Sequence, residues 1–232
     1  EYRESEKGIN LYYFMDELCK HLRPDSVVVA DAGSAIYVSA QGFKATSNQR
    51  LILSGAQAEM GFTIPACIGV STAKNDGEVV GITGDGSFQT NIQELQAIVH
   101  YHLPIKLFVW NNNGYLSIRS TQNRLFQGRL YGTDASNGVS LPDTRKIADA
   151  YGINYVKLDG NDNLGERINK VLEMKGPVIC EVMCINDQEI VPTVSSKKLD
   201  DGRMVSKPLE DMYPFLEREE FKKQMVIKSL EE

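Results

Sequence analysis

The chain has 232 residues, 42% hydrophobic and 24% charged, with a formal net charge of -6. Those values argue against a low-complexity chain and leave room for one large α/β domain with a tail. An acidic balance without a basic block disfavours nucleic acid and anionic membrane as partners, and no apolar run reaches the about 18 residues of a spanning helix.

Cys19, Cys67, Cys180 and Cys184 form no CxxC pair, and His21, His100 and His102 form no HExxH. Structural zinc and a disulfide framework are therefore disfavoured, and a reducing, cytoplasmic compartment fits best. The opening Glu1-Tyr2-Arg3-Glu4 carries no initiator methionine or signal peptide and reads as an excised or processed piece.

In chain order, Leu11 to Leu22 reads as a helix with one apolar stripe and Asn10 as N-cap. Val27 to Ala30 is a short buried strand ending at the loop Asp31 to Ala35, and Arg50 to Leu53 is a second strand. Met60 to Thr72, rich in small residues, predicts a closely packed helix with Pro65 near its start. Glu78 to Thr83 is a strand running into Gly84-Asp85-Gly86. Asn91 to Tyr101 follows as a helix capped by Thr90 or Asn91, then the strand Ile105 to Trp110. The alternation repeats with helix Asp143 to Tyr151, strand Tyr155 to Leu158, helix Leu164 to Met174 and strand Val178 to Cys184.

Apolar strands separated by helices predict a three-layer α/β/α domain on a mostly parallel sheet, covering residues 1–185. Residues 186–232, with Pro192, Pro208 and Pro214, read as an extended segment with a short helix around Glu217 to Met225.

In such a sheet, ligands gather beyond the carboxyl ends of the strands. The loops after Ala30, Thr83 and Trp110 share that rim, and Ser54 to Gly61 is expected to join them. Gly-Asp-Gly alone is an ordinary turn, and so is Asn111-Asn112-Asn113-Gly114. Both stand at the ends of apolar strands one crossover apart, which points to a ligand between them. Asp85 offers a carboxylate, Asn112 a neutral oxygen and Gly114 a backbone carbonyl, a sparse set suited to Mg2+ completed by substrate phosphates. No Walker A loop and no GxGxxG fingerprint is present, which disfavours a nicotinamide dinucleotide.

The run GDGSFQTNIQELQAIVHYHLPIKLFVWNNNGY resembles the cofactor motif of thiamine-diphosphate-dependent enzymes, and SGAQAEMGFTIPACIG resembles a second segment of that family. The likeness is nearest to the large catalytic subunit of acetolactate synthase and its decarboxylase relatives, and spans roughly residues 10 to 185, as their C-terminal diphosphate-binding domain.

The resemblance implies thiamine diphosphate and Mg2+ as cofactors, with Asp85, Asn112 and the Gly114 carbonyl on the metal. It implies that Gly86 and Ser87 contact the diphosphate, that Gly33, Ser34 and Ala35 form an upstream phosphate loop, and that Tyr115 and Leu116 approach from the other side. Met60 would wedge beneath a bent cofactor, and the Ala58 carbonyl would accept from its exocyclic amine.

The activity implied is that of a lyase or carboligase on 2-oxo acids such as pyruvate. Alternatives are a decarboxylase of a larger or sugar-derived 2-oxo acid, or a non-catalytic Mg-diphosphate-binding or oligomerisation module. Ala58 stands where glycine is usual, and Leu116 replaces a glycine. Ser117 stands for a methionine, and Thr121-Gln122 for a Gln-Trp pair. These departures bear on substrate more than on cofactor. The family's activating glutamate comes from a separate pyrimidine-binding domain, of the same enzyme or another subunit. No catalytic side chain is therefore assigned to this chain, and a homodimer or higher oligomer is expected. Without that domain the chain is expected to be inactive. Glu59 and Glu94 are not substitutes.

Overall fold

The computed structural model describes residues 8–46, 48–75, 77–194, 196–198 and 201–227. Two compact units divide the chain, Glu1–Gln188 and Glu189–Glu232. The opening residues Glu1 to Glu4 lie outside the described residues.

The first unit runs α1 (Leu11–His21), β1 (Val27–Ala30), α2 (Ser34–Gly42), β2 (Arg50–Leu53), α3 (Thr63–Ala73), β3 (Val79–Gly84) and α4 (Asp85–Phe88). A 3-10 segment (Gln89–Glu94), α5 (Leu95–His100), β4 (Ile105–Asn111), α6 (Leu116–Leu125) and α7 (Thr144–Tyr151) follow. The unit closes with β5 (Asn154–Leu158), α8 (Leu164–Glu173) and β6 (Val178–Met183).

Six strands form one parallel sheet in the order β2-β1-β3-β4-β6-β5. The chain leaves β1 for one edge, returns past it to β3 and β4, jumps to the other edge at β5 and returns to β6. Helices α3, α5 and α7 pack in sequence on each other, while α1 packs on α2 and α8. Opposite directions of travel along a parallel sheet place crossovers on opposite faces, so this is the three-layer α/β/α fold.

The central strands β1, β3, β4 and β6 are buried on both faces, which explains their unbroken apolar runs. Side-chain alternation sends Ile105, Leu107 and Val109 into one core, with Ile64, Cys67 and Leu95. Phe108 and Trp110 point the other way and meet the edge of Phe14, at ring-centre distances of 5.3 and 5.6 Å. Lys106 shares that second face and is fully buried. Its ammonium donates to the carbonyls of Met174 and Gly176, closing the chain just after α8.

Asn10 caps α1 as expected, accepting from the amides of Tyr12 (2.9 Å) and Tyr13 (3.3 Å). Asp143 does the same for α7.

Several local expectations are corrected. The helix expected from Met60 starts at Thr63, because Gly61 holds φ +87°, a left-handed value that no helix continues. The helix expected over Asn91 to Tyr101 breaks at Asn91 (φ -135°, ψ 35°), whose side-chain amide donates to the Gly61 carbonyl at 2.9 Å. Neither Thr90 nor Asn91 is its N-cap; regular α-helix begins only at Leu95. Within the expected Asp31 to Ala35 loop, α2 already begins at Ser34, and Leu116 opens a helix, α6, that no apolar stripe announced.

The second unit holds a short antiparallel hairpin, β7 (Ser196–Lys198) with β8 (Met204–Ser206), and α9 (Arg218–Gln224). Arg218 grips the buried Asp211 with two hydrogen bonds of 2.9 Å, and its guanidinium lies over the Phe215 and Phe221 rings.

Candidate functional site

The sheet register builds the site. Ala30 pairs with Ile82, so Asp31 falls alongside Thr83; Gly84 pairs with Trp110, so Asp85 falls alongside Asn111. The crevice between β1 and β3 is a switch point, since the connection after β1 turns one way and that after β3 the other. A cleft of about 280 Å³ opens there.

Four loops line the cleft. The first carries Gly33, Ser34 and Tyr37, the second Ala58 and Met60. The third carries Asp85, Gly86 and Ser87, and the last Asn112, Gly114, Tyr115, Leu116, Ser117 and Ile118. Of the cofactor and metal residues expected from the sequence, only Ala35 is not on its wall; it is buried behind, in the first turn of α2. Glu59 and Glu94 do not line the cleft either.

Asp85 is 5% exposed. Its Oδ1 accepts from the Gly86 amide at 2.8 Å and its Oδ2 from the Gly114 amide at 2.9 Å. Burial pushes its carboxyl up to about 6, against the lowering pull of the Gly114, Gly86 and Asn113 amides and of Arg119.

On the wall of the same cleft, Asn112 has a buried Oδ1 that accepts no hydrogen bond among the described residues. An orphaned buried acceptor costs about 1–3 kcal/mol, so a partner from outside the chain is called for. Among the described residues, no cluster of three or more His, Cys, Asp or Glu side chains could hold a metal. A carboxylate plus an orphaned amide oxygen fits a hard cation that draws its remaining ligands from phosphates and water. Mg2+ with a diphosphate therefore fits the residues present.

Glycine is needed where the walls close. A Cβ on Gly114 would stand 2.1 Å from the Thr133 carbonyl oxygen, and φ there is +125°. A Cβ on Gly86 would stand 2.3 Å from the Tyr115 ring. The chain must pass close at both points, which fixes the two turns that carry Asp85 and Asn112.

Asp31 was not among the site residues expected from sequence. It is fully buried, and its Oδ2 accepts from the hydroxyls of Thr83 and Ser87, each at 2.7 Å. Ser87 Oγ in turn accepts from the Gly61 amide at 2.7 Å. One carboxylate thereby braces the Met60 loop against the Asp85 loop. Burial pushes the Asp31 carboxyl up, opposed by the Ser87 and Thr83 hydroxyls. Ser87, which also lines the cleft, thus bonds through its hydroxyl to both Asp31 and Gly61. Asp31 had the same signal as Asp85, a carboxylate directly after a buried strand.

The family model for the thiamine pyrophosphate enzyme, C-terminal TPP binding domain, matches residues 31–182. The chain belongs to this family. The matched span includes all four loops of the cleft.

Acetolactate synthase of Arthrospira platensis is 31% identical over 175 residues, 75% of this chain and 30% of that protein. The acetolactate synthase large subunit of Haemophilus influenzae is 30% identical over 185 residues, 79% of this chain and 32% of that protein. The thiamine diphosphate-dependent 4-hydroxybenzoylformate decarboxylase of Rhodococcus jostii RHA1 superposes with a TM-score of 0.70 at 22% identity. That superposition covers 82% of this chain and 35% of the decarboxylase, and shows the shared fold. The chain spans about a third of the length of these relatives. No helix among the described residues is long and apolar enough to cross a membrane.

Two properties of this TPP-binding domain are directly testable. Ala58, in place of the family's usual glycine, sits at φ +53°. That conformation costs an L-residue about 1–2 kcal/mol, against about 0.5–1 kcal/mol for glycine's extra freedom when unfolded. Ala58→Gly is expected to stabilise by about 0.5–1 kcal/mol, raising the urea midpoint at unchanged slope. A lowered midpoint would contradict the strain.

The second concerns pH. The folded Asp85 carboxyl, near 6, binds its proton more tightly than an ordinary one at 3.8. The folded state therefore holds more protons within that window. Without metal, stability rises as pH falls from about 6 to about 4, by up to about 3 kcal/mol. Carboxylates held low by partners, such as Asp159 beside Arg167, keep most of their contribution until the pH nears the ordinary 3.8, so they oppose this slope only at its acid end. Asp85→Asn should lessen it in metal-free urea titrations, leaving the part of the same sign that the raised Asp31 carboxyl supplies; an unchanged slope would contradict the assignment.

Proposed function

We propose that this chain holds the Mg2+-diphosphate end of thiamine diphosphate in an enzyme acting on 2-oxo acids, as an acetolactate-synthase-like lyase or carboligase. The observation that carries the reading is the orphaned Asn112 oxygen on the same cleft as the buried Asp85 carboxylate, inside a TPP-binding domain.

Asp85, Asn112 and the Gly114 carbonyl would take the cation. The cleft edges at Gly33, Ser34, Gly86, Tyr115 and Leu116 would take the phosphates, and the bend between them is set by glycines that admit no Cβ. Met60, 43% exposed on the wall, would support the rings from below, with the Ala58 carbonyl beside it. When bound, thiamine diphosphate supplies the carbon that adds to the 2-oxo acid carbonyl and takes the electron pair released with carbon dioxide. This chain's residues orient that group and exclude water at the buried phosphate end.

The activating glutamate and the other half of the site would come from a pyrimidine-binding domain, of the same enzyme or a second subunit, in a homodimer or higher oligomer. A second reading, decarboxylation of a larger or more polar 2-oxo acid, is favoured by Ser117. It lines the cleft in place of the methionine of the acetolactate-synthase pattern. Turnover of pyruvate, 2-oxobutyrate and polyhydroxylated 2-oxo acids by the complete protein separates the two. Acetolactate from pyruvate supports the first; carbon dioxide release from the polyhydroxylated acids alone supports the second. No turnover of any of these acids, with Mg2+ and thiamine diphosphate present, would contradict both.

A further inference from the structure

Arg119 sits in α6, behind the cleft wall, and is 6% exposed. Its Nη2 donates to the backbone carbonyl of Asn112 at 3.1 Å and to that of Asn186. Its Nε donates to Asp187 Oδ1 at 2.8 Å, and its Nη1 lies 3.7 Å from Asp134 Oδ2. One planar group thus joins α6, the Asn112 turn, the chain leaving β6 and the Thr133-Asp134 loop. That last loop also holds the turn from the other side, since the Thr133 carbonyl accepts from the Tyr115 amide at 2.8 Å.

From this geometry we infer that Arg119 is a positioning residue for the cation: it fixes the Asn112 backbone so that Oδ1 faces Asp85. The inference rests on the reading of the cleft given above. It follows from three facts together. Asn112 carries the orphaned oxygen. Its carbonyl is held by a side chain rather than by a neighbouring strand. That side chain is a buried fork whose donor directions are fixed. A lysine would keep the charge but, as a point donor on a flexible stem, could not hold the three partners in one plane.

The test uses the complete protein, with Mn2+ as the probe, titrated in the presence of thiamine diphosphate and read by the resonance of free Mn2+. Arg119→Lys is expected to weaken Mn2+ binding by about tenfold or more, the range for removing groups that orient a ligand. Its metal-free melting temperature should stay close to that of the unsubstituted protein.

Asp187, whose side chain is 73% exposed, offers a second variant without a folding burden. Asp187→Ala removes the Nε acceptor and should give a smaller loss of the same sign. Unchanged Mn2+ affinity in both variants overturns the inference. So does a loss in Arg119→Lys that merely follows loss of folding, with Asp187→Ala unchanged. If the unsubstituted protein takes up no Mn2+ with thiamine diphosphate, the reading of the cleft itself fails, and the inference with it.

Discussion

Asp85→Ala is expected to abolish the magnesium-dependent part of thiamine diphosphate binding, a loss of about 100-fold or more, equal to about 2.7 kcal/mol. The size follows from the donor set. Among the described residues, Asp85 is the one carboxylate on the cleft wall. The other donors, Asn112 Oδ1 and a backbone carbonyl, are neutral. Removing the carboxylate leaves a doubly charged cation with no formal counter-charge from this chain. It also frees the Gly114 amide, which Asp85 holds at 2.9 Å, and so loosens the turn that presents Asn112. Calorimetric titration with and without Mg2+ reads the effect. A variant that keeps the full magnesium-dependent heat would remove Asp85 from the metal site.

Gly114→Ala is expected to be severely damaging for so small a substitution. The added methyl would meet the Thr133 carbonyl oxygen at 2.1 Å, far inside contact distance, on a backbone at φ +125°. Neither atom is the end of a flexible side chain, so the turn itself must move. The amide bonds that Gly114 makes to Asp85 and Tyr115 makes to Thr133 would be lost together. A cost of about 3 kcal/mol or more follows, a fall in melting temperature of roughly 6 °C or more for a domain of this size. Cation binding should fail with it, since Asn112 lies in this turn and Asp85 is bonded to its Gly114 amide. A melting temperature within about 2 °C of the unsubstituted protein would contradict the packing described here.

Much of the fold could be read from the chain because its central strands are buried on both faces. Val27–Ala30 and Arg50–Leu53 fall where the apolar runs placed them, and β3, β4, β5 and β6 to within a residue at either end. Helices with one apolar stripe and a side-chain cap, α1 and α7, were equally legible. The hidden elements lack those signals. Gly33 enters α2 with φ +59° and no side-chain cap, so nothing in Ser34–Gly42 announces a start. In α6 the one buried cation, Arg119, interrupts the apolar pattern, because its partners lie far away in sequence at Asn186 and Asp187. Asn91 reads as a cap, but tertiary structure spends its amide on Gly61 instead.

The site shows the same division. Eleven residues named from the sequence lie on the cleft, because rim position follows from strand order and local chemistry. Asp31 and Arg119 do not touch the space a ligand would fill. They brace those that do, through contacts to Ser87 and to the Asn112 carbonyl that no local pattern encodes.

The central claim is that this cleft takes up thiamine diphosphate through a divalent cation. Its most direct test is calorimetric titration of the complete protein with thiamine diphosphate, once with Mg2+ and once with a chelator. The expected result is saturable binding at one site per chain with Mg2+ and none with the chelator. Binding of equal strength in both, or no binding with Mg2+ present, would contradict it.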